Sequence, residues 1–335
     1  MTRVSPLASV AVIGAGAWGT ALANVSARAD RTVRLWGRDE AHIADMLASR
    51  ENKRHLPGIP LDKNVQPTAD LALAADADIL LVSVPAQALR GMLVALSDKL
   101  RVGATLVLCA KGFERSTGHF LSDVAKEILP HHKVAVLSGP SFAVDVSRGL
   151  PTAVTLAADD LDLARDLTQV LSGQTFRLYH SKDMRGVEIG GAAKNVLAIA
   201  CGIAHGRGLG ASAGAALIAR GFAELSRFGK AWGAQSETLM GLSGLGDLVL
   251  TCSSSQSRNF SFGIGLGKGE SPLEAGHGKL AEGSFTASVL IEMARQRGVD
   301  MPIAQSVAAV LAGTLSVDGA IESLMSRPTR AEINE

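Results

Sequence analysis

Ser9-Val10-Ala11-Val12-Ile13-Gly14-Ala15-Gly16-Ala17-Trp18-Gly19-Thr20-Ala21-Leu22-Ala23 joins a short apolar run to a G-x-G-x-x-G turn and the first residues of a helix. Val10 to Ile13 reads as a buried strand. In the turn each glycine has its own mechanical role. Gly14 permits the tight bend, Gly16 lets a pyrophosphate approach the backbone, and Gly19 lets helix and strand pack closely. The helix N-terminus adds unpaired N–H groups and a partial positive charge. Glycine turns of this pattern also occur where nothing binds. The βαβ unit that follows is what favours a dinucleotide.

Working outward, Thr32 to Trp36 forms a second strand, ending at Gly37-Arg38-Asp39. An acidic residue at that strand end would hold an adenosine ribose, whereas the guanidinium of Arg38 suits a 2′-phosphate. The expectation is NADP(H), with NAD(H) also open; the alternative for Arg38 is a solvated loop residue. Glu40 to Arg50 reads as a helix. Ile79 to Val84 is the clearest buried strand, stopped by Pro85, with a helix from Ala86 to Leu100. Thr105 to Cys109 is a strand that delivers Ala110-Lys111-Gly112 to the carboxyl edge of the sheet, where ligands of open α/β sheets bind. Lys111 there serves a phosphate or a reacting oxygen, or is a charged turn residue. Lys133 to Leu137 leads to Ser138-Gly139-Pro140-Ser141-Phe142-Ala143, a second strand-to-helix turn with free amides. Late strands at Thr152–Leu156 and Thr175–Tyr179 flank a helix from Leu161 to Leu171. The alternation predicts a doubly wound parallel sheet over residues 1–180.

After Tyr179 long Ala/Gly-rich helices take over, predicting an all-helical domain over residues 181–335. Met184 to Ile203 is apolar or small nearly all round, as a buried helix is. Lys194 lies within it, flanked at helical spacing by Gly190, Gly191, Leu197 and Ala198. Desolvation there lowers a lysine's pKa toward the range of a general acid or base, unless it snorkels to solvent. Asn195 is polar in the same setting. A helix over Gly210–Gly229 has Arg220 and Glu224 at pairing distance. Gly244-Leu245-Gly246 enters a helix that puts Asp247 and Thr251 on one face. Ser257-Arg258-Asn259 follows, a phosphate grip or a solvated tripeptide.

The 335 residues are long enough for two domains, and 47% apolar content fits a globular chain. A net charge of +1 points to neither nucleic acid nor an anionic membrane. Cys109, Cys201 and Cys252 are far apart, so thiols are expected rather than a disulfide framework or a metal site. The chain start reads directly into the first strand, and no apolar run is expected to reach the ~20 residues of a membrane span. A cytoplasmic protein is expected.

These segments, with Lys194-Asn195, Thr251-Cys252 and Ala281-Glu282-Gly283, closely resemble the bacterial-type NAD(P)-dependent glycerol-3-phosphate dehydrogenase family along nearly the whole chain. The resemblance implies a Rossmann-type domain followed by an all-helical domain like that of 6-phosphogluconate dehydrogenase. It implies reversible reduction of dihydroxyacetone phosphate to sn-glycerol 3-phosphate for glycerophospholipid synthesis, and a homodimer. Lys194 falls on the general acid/base position. Lys111, Gly139, Ser141, Asp247, Ser257, Arg258 and Asn259 fall on substrate positions, and Ala17, Trp18, Arg38, Ala143, Leu280 and Glu282 on cofactor positions. Lys111 and Arg258 lie near both ligands. Asp247 and Thr251 would orient Lys194, and Asn195 would join the substrate set. Ser212 and Lys279 depart from the family pattern, at an asparagine and a glutamine. Two rivals are a β-hydroxy-acid dehydrogenase, which would direct its cations to a carboxylate, and a sensor that binds NADP(H) without turnover. Ser257-Arg258-Asn259 speaks against the first, Lys111 and Lys194 against the second.

Overall fold

The computed structural model describes residues 8–28, 31–276 and 282–328. The chain divides into two compact units, Met1–Ala192 with Trp232–Asp247, and Ala193–Ala231 with Leu248–Glu335. In the first, β1 (Val10–Ile13), β2 (Val33–Trp36), β3 (Val65–Thr68), β4 (Ile79–Val82), β5 (Thr105–Leu108), β6 (Lys133–Ser138), β7 (Thr152–Ala158) and β8 (Phe176–Ser181) form one sheet. Its order is β3-β2-β1-β4-β5-β6-β7-β8. The helices between strands are α1 (Ala17–Ala27), α2 (Glu40–Ser49), α3 (Leu71–Ala75), α4 (Leu89–Leu96), α5 (Leu121–Ile128), α6 (Ala143–Ser147) and α7 (Leu161–Leu171).

Strand side chains alternate between faces, and so feed two cores. Val10, Val12, Leu35 and Leu81 meet α1, α2 and α7 on one side. Ala11, Ile13, Leu80 and Val82 meet α3, α4 and α5 on the other. β1 pairs in parallel with both β2 and β4, so the strand order reverses at β1 and a ligand crevice opens at its carboxyl end. β6 and β7 are antiparallel, unlike the other pairs. Only the five-residue α6 lies between them, about 7.5 Å of helix, too short to carry the chain back along the sheet.

Some elements differ from the sequence reading. β4 stops at Val82, leaving Ser83 and Val84 in the crevice loop, and a 3-10 turn at Ala86–Ala88 precedes a shorter α4. β3 has no apolar run because it is an edge strand, where Pro67 is tolerated and Gln66 faces out.

Helices then dominate: α8 (Met184–Gly206), α9 (Gly210–Ala231), α10 (Ser236–Met240), α11 (Asp247–Cys252), α12 (Arg258–Gly267), α13 (Pro272–Ala275), α14 (Glu282–Gln296), α15 (Pro302–Leu311) and α16 (Val317–Met325). Contrary to the expectation from apolar runs, α8 is long and apolar enough to cross a membrane, with 23 residues and an 18-residue stretch of mean hydropathy 1.4. Its apolar window is entirely buried inside the protein, as a core helix is. The expected Arg220–Glu224 pair does not form. Arg220 is exposed, whereas buried Glu224 accepts hydrogen bonds from the amides of Ile303 and Ala304 at 2.7 and 3.2 Å. Those amides open α15 and would otherwise be buried without acceptors.

Within the second unit α8 and α12 touch backbone to backbone. A Cβ on Gly202 would lie 2.1 Å from the Phe260 carbonyl oxygen, and one on Gly206 2.3 Å from that of Ile264. Reciprocally, Gly263 and Gly267 of α12 approach the carbonyls of Ile199 and Ile203.

Candidate active site

The glycine turn forms first. Gly14 has φ +117°, and a Cβ there would meet the Ser83 carbonyl oxygen at 2.6 Å. A Cβ on Gly19 would sit 1.9 Å from the Gly14 oxygen. Both positions are closed to side chains by the fold. Gly16, which caps α1, is different: a Cβ would meet nothing within 4 Å. Open space in front of helix amides is what a pyrophosphate needs, so these residues fit a dinucleotide. Buried Asn52 donates to the Ala15 carbonyl and to Thr20 Oγ1, at 3.0 and 2.7 Å, and so pins the turn. Sequence reasoning missed it, because Asn52 stands in a charged stretch that carries no motif.

At the end of β2, Asp39 caps α2 by accepting from the His42 amide and pairs with Arg54 at 2.8 Å. The His42 hydrogen bond, then Arg54, holds its carboxyl below the usual carboxylate range. Arg38 is exposed, and among the described residues no ion pair engages it. Trp18 packs against the first core, with Ala17 beside it at the start of α1.

Lys111 follows β5. Its amine donates to Asp247 Oδ2 at 2.6 Å and to the Gly139 carbonyl at 3.1 Å. Ser141 Oγ donates to the same carbonyl at 3.1 Å. Gly139 has φ +151°, and a Cβ there would strike the Val154 backbone at 2.8 Å. The stem of Lys111 crosses Gly191 of α8, where a Cβ would meet it at 3.3 Å. Asp247 is 1% exposed and follows a π-helical turn, Leu242–Gly246, at the glycine-rich segment. Such turns change the direction in which the next side chain points. Ala143 opens α6 next to Phe142.

In the second unit Lys194, 7% exposed, donates to Thr251 Oγ1 at 2.9 Å. Asn259 Nδ2 donates to Asn195 Oδ1 at 3.1 Å, and Asn259 Oδ1 accepts from the Gly283 amide at 2.9 Å. Asn195 Nδ2 is buried and finds no acceptor among the described residues. An unmet buried donor costs about 1–3 kcal/mol, which a ligand oxygen would recover. Ser257-Arg258-Asn259 is not a loose tripeptide. Ser257 is the N-cap of α12, its hydroxyl accepting from the Phe260 amide, so Arg258 and Asn259 stand on the first turn. Arg258 is exposed there. Exposed Glu282 opens α14, Leu280 and Lys279 lie outside the described residues, and Ser212 is exposed on α9. Among the described residues no cluster of three or more His, Cys, Asp or Glu side chains could hold a metal ion.

Residues 9–164 match the N-terminal domain, and residues 183–322 the C-terminal domain, of NAD-dependent glycerol-3-phosphate dehydrogenase. The glycerol-3-phosphate dehydrogenase (NAD(P)+) of Azorhizobium caulinodans is 62% identical over 324 residues, 96% of this chain and 98% of its own. The chain belongs to the NAD-dependent glycerol-3-phosphate dehydrogenase family. A family relative from Bradyrhizobium sp. is also 62% identical, over 97% of this chain and 98% of its own. The crystal structure of glycerol-3-phosphate dehydrogenase from Coxiella burnetii superposes with a TM-score of 0.92 at 38% identity, covering 96% of this chain and all of that one. Membership makes the chain an oxidoreductase that uses a nicotinamide cofactor, with a Rossmann-type domain and a helical one.

Proposed function

We propose that this enzyme interconverts dihydroxyacetone phosphate and sn-glycerol 3-phosphate, with NADP(H) preferred and NAD(H) accepted. Reduction would supply glycerophospholipid synthesis in the cytoplasm, from a homodimer that spans no membrane and binds no nucleic acid. The observation that carries the reading is Lys194, a buried amine held by Thr251. When bound, the nicotinamide ring supplies the hydride that reaches C2 of the ketone. As the carbonyl π bond breaks, Lys194 Nζ donates its proton to the C2 oxygen, and in the reverse direction it takes that proton back. Its positive charge draws the charge developing on that oxygen.

Lys111, oriented by Asp247, holds the substrate together with Gly139, Ser141 and Asn195. Ser257, Arg258 and Asn259 grip the phosphate remote from the chemistry, so that binding energy positions the carbonyl. Gly14, Gly16, Ala17, Trp18 and Gly19 would line the pyrophosphate, with Ala143, Leu280 and Glu282 at other parts of the cofactor. Lys111 and Arg258 are near both ligands. Arg38 would take the 2′-phosphate. In support, Asp39, the acid that could have held a ribose hydroxyl, is occupied by α2 and Arg54. The division of work would follow residues 1–180 for the dinucleotide and 181–335 for the substrate. The test is the NADPH absorbance band on addition of dihydroxyacetone phosphate. A steady, substrate-dependent decrease is expected, and no decrease above the cofactor-only rate would sink the reading.

A further inference from the structure

We propose that Asn259 is a positioning residue which, through a two-amide relay, sets which end of the Asn195 amide faces the substrate. The inference rests on the substrate assignment above and deepens it. A backbone N–H can only donate, so the Gly283 amide requires the oxygen of Asn259. That choice turns Asn259 Nδ2 toward Asn195, which must answer with its own oxygen, as it does at 3.1 Å. The Asn195 NH2 is then the one group left over, buried and without an acceptor among the described residues. Rotating either amide alone would set two donors or two acceptors against each other.

The origin of the relay is itself fixed. A Cβ on Gly283 would lie 2.7 Å from the Asn195 carbonyl oxygen and 2.8 Å from Asn259 Oδ1, so the start of α14 is seated against α8 and α12. Asn195 follows Lys194 on α8. The relay thus presents an uncommitted hydrogen-bond donor on the residue that follows the proton-transferring lysine, suited to an acceptor oxygen of a hydroxyketone or polyol phosphate. It acts with no charge of its own.

Asn259→Asp separates this role from a bulk structural one. A carboxylate still accepts from the Gly283 amide but has no proton for Asn195, whose NH2 then turns to the carboxylate and is lost to substrate. The expected result is a fall of at least ~10-fold in kcat/KM for dihydroxyacetone phosphate. In an Asn195→Ala background the same change should cost at least ~5-fold less than in the wild-type background, since no amide remains to be oriented and only Asn259's own share of the phosphate grip is lost. Hydrogen exchange reads the relay without turnover: the Gly283 amide should stay protected in Asn259→Asp and exchange at least ~10-fold faster in Asn259→Ala. Additive losses in the double variant, or a Gly283 amide indifferent to Asn259→Ala, would overturn the relay. A wild type that reduces no dihydroxyacetone phosphate strikes the reaction assignment instead, and leaves the exchange result to decide the relay.

Discussion

Lys111 donates to a carboxylate at 2.6 Å and Lys194 to a hydroxyl at 2.9 Å, and the two lysines have different proposed roles. Lys194→Met should keep the fold and cofactor binding while kcat falls at least ~10²-fold, checked by steady-state kinetics beside cofactor fluorescence titration. Arg38→Ala should raise KM for NADPH roughly 10- to 150-fold more than KM for NADH, the worth of one charge-assisted contact. Equal shifts would remove Arg38 from the 2′-phosphate. Arg258→Ala should lower kcat/KM for dihydroxyacetone phosphate by at least ~10²-fold and barely alter the poor rate with unphosphorylated dihydroxyacetone. The tight turn at Gly14–Gly19 and the burial of Lys194 were legible in the sequence, because a lysine among small residues and a G-x-G-x-x-G turn are local signals. Asn52 was not, since its two acceptors lie 32 and 37 residues away and only the folded turn brings them to it. Nor could the relay from Gly283 to Asn195 be read, for it depends on three helices meeting.

Elements show where local pattern gives way to tertiary need. Glu224 stood at helical spacing from Arg220, yet the fold uses it to satisfy the first amides of α15. Burial is the largest influence on its carboxyl and pushes it up to about 7, against the two amide hydrogen bonds. An acid raised in the folded state keeps its full stabilising effect below the ordinary carboxylate range and loses it as pH rises through about 7. At pH 7 Glu224 is half protonated when folded and ionised when unfolded, so stability should fall by roughly 0.7 kcal/mol per pH unit from this residue. Denaturant unfolding at pH 6, 7 and 8 should show a slope that includes this contribution, and Glu224→Gln should make it shallower by that amount. An unchanged slope would mean that the carboxyl is already ionised throughout. Glu188, buried against the Ser122 amide and hydroxyl and also pushed up to about 7, should contribute a slope of the same sign that survives in that variant. The buried strands of the sheet were visible as apolar runs, whereas β3 was hidden by its edge position. The start of α12 was hidden because its cap, Ser257, is a polar residue among other polar residues.

At the scale of the whole molecule the chain passes between its two units more than once, at Ala192–Ala193, Ala231–Trp232 and Asp247–Leu248. A single boundary near residue 180 follows the end of the sheet but not this interleaving, which no local composition signals. α8 and α11 each run through one of these crossings without a break. Inside the second unit, Gly202→Ala would press a methyl group into the Phe260 carbonyl, and overpacking of that kind costs about 1–3 kcal/mol. Calorimetry should show a Tm lowered by several degrees, with a parallel loss for Gly263→Ala; a variant as stable as the wild type would mean that the two helices can slide apart. That contact has a consequence for how the family can change. Where peptide touches peptide there is no cushion of rotamers to thin or thicken, so the gauge between α8, which carries Lys194, and α12, which carries Arg258, is set by the main chain itself. Selection cannot widen that gauge one methyl group at a time, because it holds no side chain to shorten.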